Sequence, residues 1–502
     1  MSEPAGGTIA PIAGSSIRRS LLLSFAEKYS TLTVQFVTSM IVARLITPQA
    51  FGVFSIAFAI VGFAHVIREM GVNAYLVQRP TLEARHIRAG LFATGIVAWG
   101  LGLLLVAASP IVGRLYGDDV RHAELILSLS FFVQPVSSTV FAVLQREMNF
   151  GALLRINLVG VSANAAIAVA LSRAGWGFAG LAWASVIGQA VTSIVAIFYR
   201  PHREHFVPSM RGSAEVFRFG AIIMASSLLH QFSTNIANLI TARFVSVAAI
   251  GLFSRAQSVT GLFSRLVMEA VQPLVLPVLA GMRRAGQDVG AAAWQSLAYI
   301  AAIAWPFFLL LALCAEPIVT LLFGAQWIEA AILLRLMSIG GLFWIVQPVA
   351  EPLLIAIGRP RLTLMAQSVN QTVAVIGVLI AAPYGVVAVA AAAIAISAVH
   401  AMTWLVVLAR VLSLRSARLP YEAGRAVLIT TATLALPAAL AWYWPALAPL
   451  PRLLLTGLSA TAGWLVGIFC TAHPVTLELR ALVRHLAPRA VRLRMAFGGT
   501  GD

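Results

Sequence analysis

The stretch ARFVSVAAIGLFSRAQSV, Ala242–Val259, decides how this chain is read. It lies between two apolar runs near the middle of the sequence. ARLITPQAFGVFSIAFAI, Ala43–Ile60, echoes it near the start. Laid together without gaps, Ala43/Ala242, Arg44/Arg243, Ala50/Ala249, Gly52/Gly251, Phe54/Phe253, Ser55/Ser254 and Ala57/Ala256 coincide. The chain therefore reads as two related halves. Where the first copy has Ile56, the second has Arg255, a charge inside an otherwise apolar helix.

Composition sets the class. The chain has 502 residues, of which 60% are hydrophobic and 11% charged, against about 25% charged in soluble domains. Mean hydropathy is +0.90. Apolar runs of about 20 residues recur from end to end, each long enough to cross a bilayer core of about 30 Å. Continuous runs in place of short alternating ones disfavour a β-barrel. The expected class is an all-α polytopic membrane protein.

The net charge of +17 sits in short loops rather than on one face, which argues against a nucleic-acid partner. Cys314 and Cys470 lie far apart in apolar runs, so neither a metal site nor a disulfide framework is expected. No P-loop, H-E-x-x-H or G-x-S-x-G motif occurs, and no loop is large enough for a soluble catalytic domain. The expectation is a non-enzyme without cofactor or metal. The first apolar segment carries Glu27 and Lys28 and has no A-x-A site, so it reads as a retained first span.

Fourteen transmembrane helices are expected, near residues 20–46, 51–70, 88–109, 122–144, 152–171, 178–199, 217–240, 247–270, 294–314, 331–357, 362–382, 385–409, 424–445 and 453–471. Arginines follow every even-numbered span, as in Arg79/Arg85/Arg88, Arg200/Arg203/Arg211 and Arg283/Arg284, while alternate loops are poor in cations. The positive-inside rule then puts both termini in the cytoplasm. The repeat continues in Val133-Gln134-Pro135-Val136 with Val346-Gln347-Pro348-Val349, and in Trp176-Gly177 with Tyr384-Gly385. The expected organisation is a cytoplasmic tail (1–17), a six-helix lobe (18–200), a cytoplasmic linker (201–216), a second six-helix lobe (217–410), two C-terminal helices (411–471) and a basic tail (472–502). Each lobe starts inside, so a pseudo-two-fold axis along the membrane normal relates them, as in transporters that rock about a central site. The tail residues Arg480–Arg494 either lie on the anionic inner leaflet or form a solvated end.

Charges within spans usually face a cavity or a partner. Arg255 lies about eight residues into span eight, roughly 12 Å along the helix. Its planar fork suits a phosphate or diphosphate; the alternative is a structural ion pair. On span seven Gln231, Asn235 and Asn238 belong to one polar stripe that either glues helices or lines a wet cavity. His230 beside them is a titratable group or a simple hydrogen-bonded one. Arg44 and Arg243 hold matching positions at outer helix ends, as anchors or mouth charges. Glu27 in span one, a cation site or a partner for Arg255, and Glu351 in span ten are the candidate carboxyls for ion coupling, with Gln347 one turn before Glu351. Gln367, Asn370, Gln371, Asn157 and Asn164 hydrogen-bond sugars or one another.

Several stretches carry a family likeness: ARLITPQAFGVFSIA (43–57), LQREMNF (144–150), NLITARFVSVAAIGLFSRAQSV (238–259), PLVLPVLAGM (273–282), EPIVTLLFGAQW (316–327) and IAIGRPRL (355–362). Together they resemble the Wzx-type polysaccharide exporters, in the branch handling exopolysaccharide and colanic-acid-like repeat units. That branch belongs to the multidrug/oligosaccharidyl-lipid/polysaccharide exporter superfamily. The resemblance covers about Arg18 to Arg410. It implies two six-helix lobes around a cationic cavity, and flipping of undecaprenyl-diphosphate-linked oligosaccharide between leaflets of a bacterial inner membrane. Membrane lipids and polysaccharide polymerase or export machinery are the implied partners. Arg255 matches the arginine of the family's Gly-Leu-Tyr-Ser-Arg pattern, with Phe253 in place of Tyr. Ala237 stands where the family often has an acid, which turns attention to Glu27 and Glu351. The alternatives are an exporter of another lipid-linked cell-wall precursor, a cation-coupled drug exporter and, in another class, a membrane polymerase or ligase.

Overall fold

The computed structural model describes residues 14–69, 72–78, 82–200, 207–218, 239–412, 418–444 and 447–476. Every regular element among them is helical. The chain divides into two compact units, Met1–Gly251 and Leu252–Asp502. Ten helices among the described residues are long and apolar enough to cross a membrane, and the chain is a multi-pass membrane protein.

The first unit holds α1 (Gly14–Leu45), α2 (Pro48–Glu69), the short α3 (Val72–Gln78), α4 (Ala84–Tyr116), α5 (Asp118–Ser128), α6 (Ser130–Arg146), α7 (Phe150–Arg173) and α8 (Gly177–Tyr199). α5 and α6 together form the fourth span, broken only at Leu129. α7 packs on α8 and α1, while α5 packs on α2, α4 and α8. Small residues permit the closest contact: a methyl on Gly160 would overlap the Thr192 hydroxyl, and one on Gly188 would press into Asn164. This is how helices associate in lipid, where apolar burial supplies little drive. Residues 239–244 and the first turn of α9 (Val247–Thr260) also belong here. Ile250 is buried in a cluster with Val53, Ile56 and Ala57 of α2 and with Ala123, Leu127 and Phe131.

In the second unit, α9 passes through a π-helical turn, Ser264–Met268, into α10 (Glu269–Arg284). Expected span eight is thus not one straight helix. There follow α11 (Val289–Leu313), α12 (Ala315–Phe323), α13 (Ala330–Gly341), α14 (Gln347–Ala356), α15 (Pro360–Ala381), α16 (Val386–Leu412), α17 (Arg418–Tyr443) and α18 (Pro449–Cys470). Expected span ten, 331–357, is also interrupted, with residues 342–346 forming turns between α13 and α14. Pro348 has no N–H to return to the Trp344 carbonyl. Within the turns, the Leu342 carbonyl accepts the Trp305 indole N–H at 3.0 Å. α17 and α18 pack on each other and on α11 and α12, and the Trp464 indole donates to the Ala302 carbonyl at 2.8 Å.

Gly117 closes α4 at φ 97, ψ 161, and Gly324 closes α12 at φ 102, ψ 168. The sequences leading to them align as Pro110-Ile111-Val112…Leu115-Tyr116-Gly117 and Pro317-Ile318-Val319…Leu322-Phe323-Gly324. The repeat is therefore carried by backbone geometry that favours glycine in both halves.

Candidate functional site

Arg255 sits near the start of the second unit and is 3% exposed. The positive-φ turn at Gly324 ends α12 and leads into a short 3-10 turn, Ala325–Trp327. That turn seats Trp327 edge-on to Phe323, at 6.4 Å between ring centres. The Arg255 guanidinium carbon lies 5.1 Å from the Trp327 ring centre and 5.2 Å from that of Phe323. Two of the sequence stretches that carry the family likeness thus meet in one cation–π contact. Its counterpart in the first unit is apolar. Ile56 is a buried member of the cluster against which Tyr116, the counterpart of Phe323, packs.

The candidate carboxyls are each held by amides. Glu27 of α1 is half-buried, and the Asn157 side-chain amide on α7 donates to its Oε1 at 2.6 Å. Glu351 of α14, also half-buried, accepts from Gln367 of α15 at 2.9 Å and from Gln347 at 3.4 Å. Just beyond, His400 Nε2 of α16 lies 2.8 Å from the Asn370 backbone oxygen. Three helices of the second unit therefore contribute one polar patch, Gln347, Glu351, Gln367, Asn370 and His400. A carboxylate supported by neutral donors keeps its charge available to a mobile cation, which a fixed arginine partner would cancel.

Arg44 and Arg243 are both exposed. Each closes a helical segment just before the helix that carries a repeat glycine. Gln231, Asn235, Asn238 and His230 lie outside the described residues. No group of three or more His, Cys, Asp or Glu side chains suited to a metal occurs among the described residues.

Two groups were missed by sequence reasoning. His400 lies in an unbroken apolar run, and its only signal was that it is polar there. Glu124 lies two residues past His122 at an expected helix start, where an acid passes for a loop residue. In the structure it lies on the buried face of α5 with no exposure.

Comparison with known proteins places these features in a family. A family model described as "Polysaccharide biosynthesis protein" matches residues 41–332, more than half of the chain. The succinoglycan biosynthesis transport protein ExoT of Rhizobium meliloti is 25% identical over 64% of this chain and 66% of its own length. The teichuronic acid biosynthesis protein TuaB of Bacillus subtilis is 22% identical over 60% and 63%. The lipopolysaccharide biosynthesis protein WzxC of Escherichia coli is 24% identical over 60% and 62%. The chain thus spans just under two thirds of the length of these relatives. Among solved structures, the lipid II flippase MurJ in an inward closed conformation superposes with a TM-score of 0.73 at 14% identity, covering 89% of this chain and 99% of that one. An inward-facing multidrug resistance MATE family transporter of the MOP superfamily gives 0.62 at 15% identity, covering 78% and 98%. At such identities these likenesses establish the fold.

Proposed function

The chain belongs to the polysaccharide biosynthesis protein family, and from that premise we propose that it flips an undecaprenyl-diphosphate-linked oligosaccharide from the inner to the outer leaflet of a bacterial inner membrane. The observation that carries this reading is the family match over residues 41–332 on a chain with the fold of a lipid II flippase. The topology that goes with it has both termini in the cytoplasm, with six-helix lobes at 18–200 and 217–410 exposing the site to each side in turn. The chemistry is movement of an intact lipid, with no bond made or broken.

In this reading Arg255 meets the diphosphate, and Gln231, Asn235 and Asn238 meet the sugars, with Arg44 and Arg243 drawing the anion to the mouth. Arg255 first has to leave its ring pair. A desolvated cation–π contact contributes about 2 kcal/mol. Hydrogen bonds to a charged group contribute roughly 1.5–3 kcal/mol each and are bidentate for arginine on phosphate. Two or more bonds to a diphosphate are thus comparable with the two ring contacts, and the rings hold the guanidinium while the site is empty. Glu27, Glu351 and His230 couple the movement to an ion gradient. Membrane lipids and a polysaccharide polymerase are the expected neighbours.

The test is the leaflet location of the lipid-linked oligosaccharide in cells with and without the protein, read by access to an enzyme added from outside. Accumulation on the inner leaflet without the protein is the expected result. An unchanged distribution with unpolymerised units outside would assign a polymerase or ligase step instead.

A further inference from the structure

Among the described residues of the first unit, Glu124 stands apart from the other ionisable groups. It is fully buried, and neither carboxyl oxygen has a hydrogen-bond partner. It shares the buried face of α5 with Val120, Ala123 and Leu127, all members of the first unit's main apolar cluster. The elements packed most closely against α5 are α2, α4, α6 and α8, and residues 239–250, whose one charge is the exposed Arg243, adjoin the same apolar cluster. On α2 no ionisable residue occurs from Pro48 to Ala64; the next, His65, stacks on Phe131 two turns beyond Glu124. Arg68 lies further along α2. α4 has none between Arg88 and Arg114, which flank its apolar stretch, and Tyr116 follows Arg114. α6 has none before Arg146, and α8 has only Tyr199 at its far end. On α5 itself Asp118, Asp119, Arg121 and His122 stand before Glu124. Arg121 is one turn away, and its aliphatic stem is directed at Gly113 of α4.

A carboxylate in this place would be a negative charge in a low-dielectric interior, with no hydrogen-bond donor and no paired counter-ion among the described residues. Desolvation makes such a charge costly. No further oxygen ligand is hydrogen-bonded or paired to it that would make a metal site; the ligand this geometry accepts is the proton. We propose that Glu124 is a proton-binding site of the first unit. Its carboxylate takes a proton from hydronium, leaving water, in this conformation, and returns it to water when the α2–α4–α5–α8 packing loosens enough to hydrate it. This makes the gradient that drives the proposed flipping a proton gradient. The coupling role rests on the transporter reading; the bound proton does not.

The test has two arms. The first is infrared spectroscopy of the purified full-length protein in membranes at neutral pH. A protonated carboxyl band above the amide region, shifting in heavy water and missing from Glu124→Gln, is expected. Glu124→Met, apolar and close in size, serves in the same subtraction should Glu124→Gln fail to accumulate. A spectrum without that band overturns the proton site. The second arm is the leaflet assay before and after an ionophore collapses the proton gradient. Wild type is expected to slow several-fold, while Glu124→Gln flips at one slow rate with or without ionophore. Equal ionophore sensitivity of the two proteins overturns the coupling role. Absence of flipping by wild type would overturn the proposed function and leave the infrared result standing.

Discussion

Gly52 and Gly251 are each the gap into which the other helix's first turn fits. A methyl on Gly52 would overlap the Val247 carbonyl oxygen, and a methyl on Gly251 would overlap that of Pro48. Each carbonyl belongs to the residue four positions before the opposite glycine, so the contact is reciprocal. These two glycines are also the repeat pair seen in the sequence. The internal repeat therefore appears in the first unit as a two-fold helix crossing. Gly52→Ala and Gly251→Ala should each lower the unfolding temperature in detergent by several degrees. Gly95→Ala on α4, where a methyl meets nothing within 4 Å, should leave it unchanged or raised, since alanine is favoured over glycine in helices by roughly 0.5–1 kcal/mol. Equal behaviour of all three would remove the crossing from the account.

Arg255 and Trp327 should be energetically coupled. A double-mutant cycle of Arg255→Ala and Trp327→Ala, read by denaturation in detergent, is expected to give a coupling of about 1–2 kcal/mol. Arg255→Lys should recover little, because an ammonium lacks the planar face that stacks on the rings. Additive effects would show that the rings only pass near the guanidinium.

At Glu351 the order of effects is informative. Glu351→Gln keeps the shape and removes the charge, so it should fold as wild type does. Gln367→Leu removes the 2.9 Å donor and should cost more, about 1 kcal/mol, the net worth of one hydrogen bond to a half-buried carboxylate that keeps its Gln347 partner. If Glu351 carries the coupling ion, Glu351→Gln also flattens the dependence of leaflet transfer on that ion. A stable Gln367→Leu beside an unstable Glu351→Gln would contradict this assignment.

Beyond the last helix, His473 is fully buried and its Nδ1 accepts the Val475 N–H at 3.3 Å. Arg425 of α17 donates to the Thr471 carbonyl at 2.8 and 3.1 Å and also to that of Ala472. Burial, and then the Arg425 charge, bring the His473 pKa down to about 4. An unfolded histidine titrates near 6.5. Between these values the unfolded chain holds a proton that the folded chain refuses, so stability is full above about pH 6.5 and declines as pH falls toward 4. His473→Gln should flatten the unfolding temperature over that window. A slope that survives the substitution would assign it to another group.

How much of this was legible beforehand depended on the type of signal. The spans were readable because each is a run of apolar residues that only a bilayer or a core explains. The Gly52/Gly251 pair was visible as a repeat, but its physical content, a carbonyl filling each missing side chain, needs both helices in place. The Pro110–Gly117 and Pro317–Gly324 copies went unnoticed. Their shared feature is a backbone dihedral, and α12 is a separate short helix where the first copy simply ends α4. The interruption before Gln347 was hidden because Leu342–Val346 is as apolar as the helices around it.

The candidate site divides along the same line. That Arg255 is a charge among apolar residues follows from order along the chain. That it lies against Phe323 and Trp327, about 70 residues on, follows only from packing. The sequence by itself determined the class, the repeat and the residues whose polarity conflicts with their surroundings, because hydropathy and spacing are local properties. Tertiary structure alone decided which of those conflicts are resolved. Amides meet Glu27 and Glu351, and aromatic rings cover Arg255; Glu124, whose burial the sequence does not show, is left without a hydrogen-bond partner. Hydrogen bonds and desolvation are relations between distant residues, and no window of sequence contains both partners.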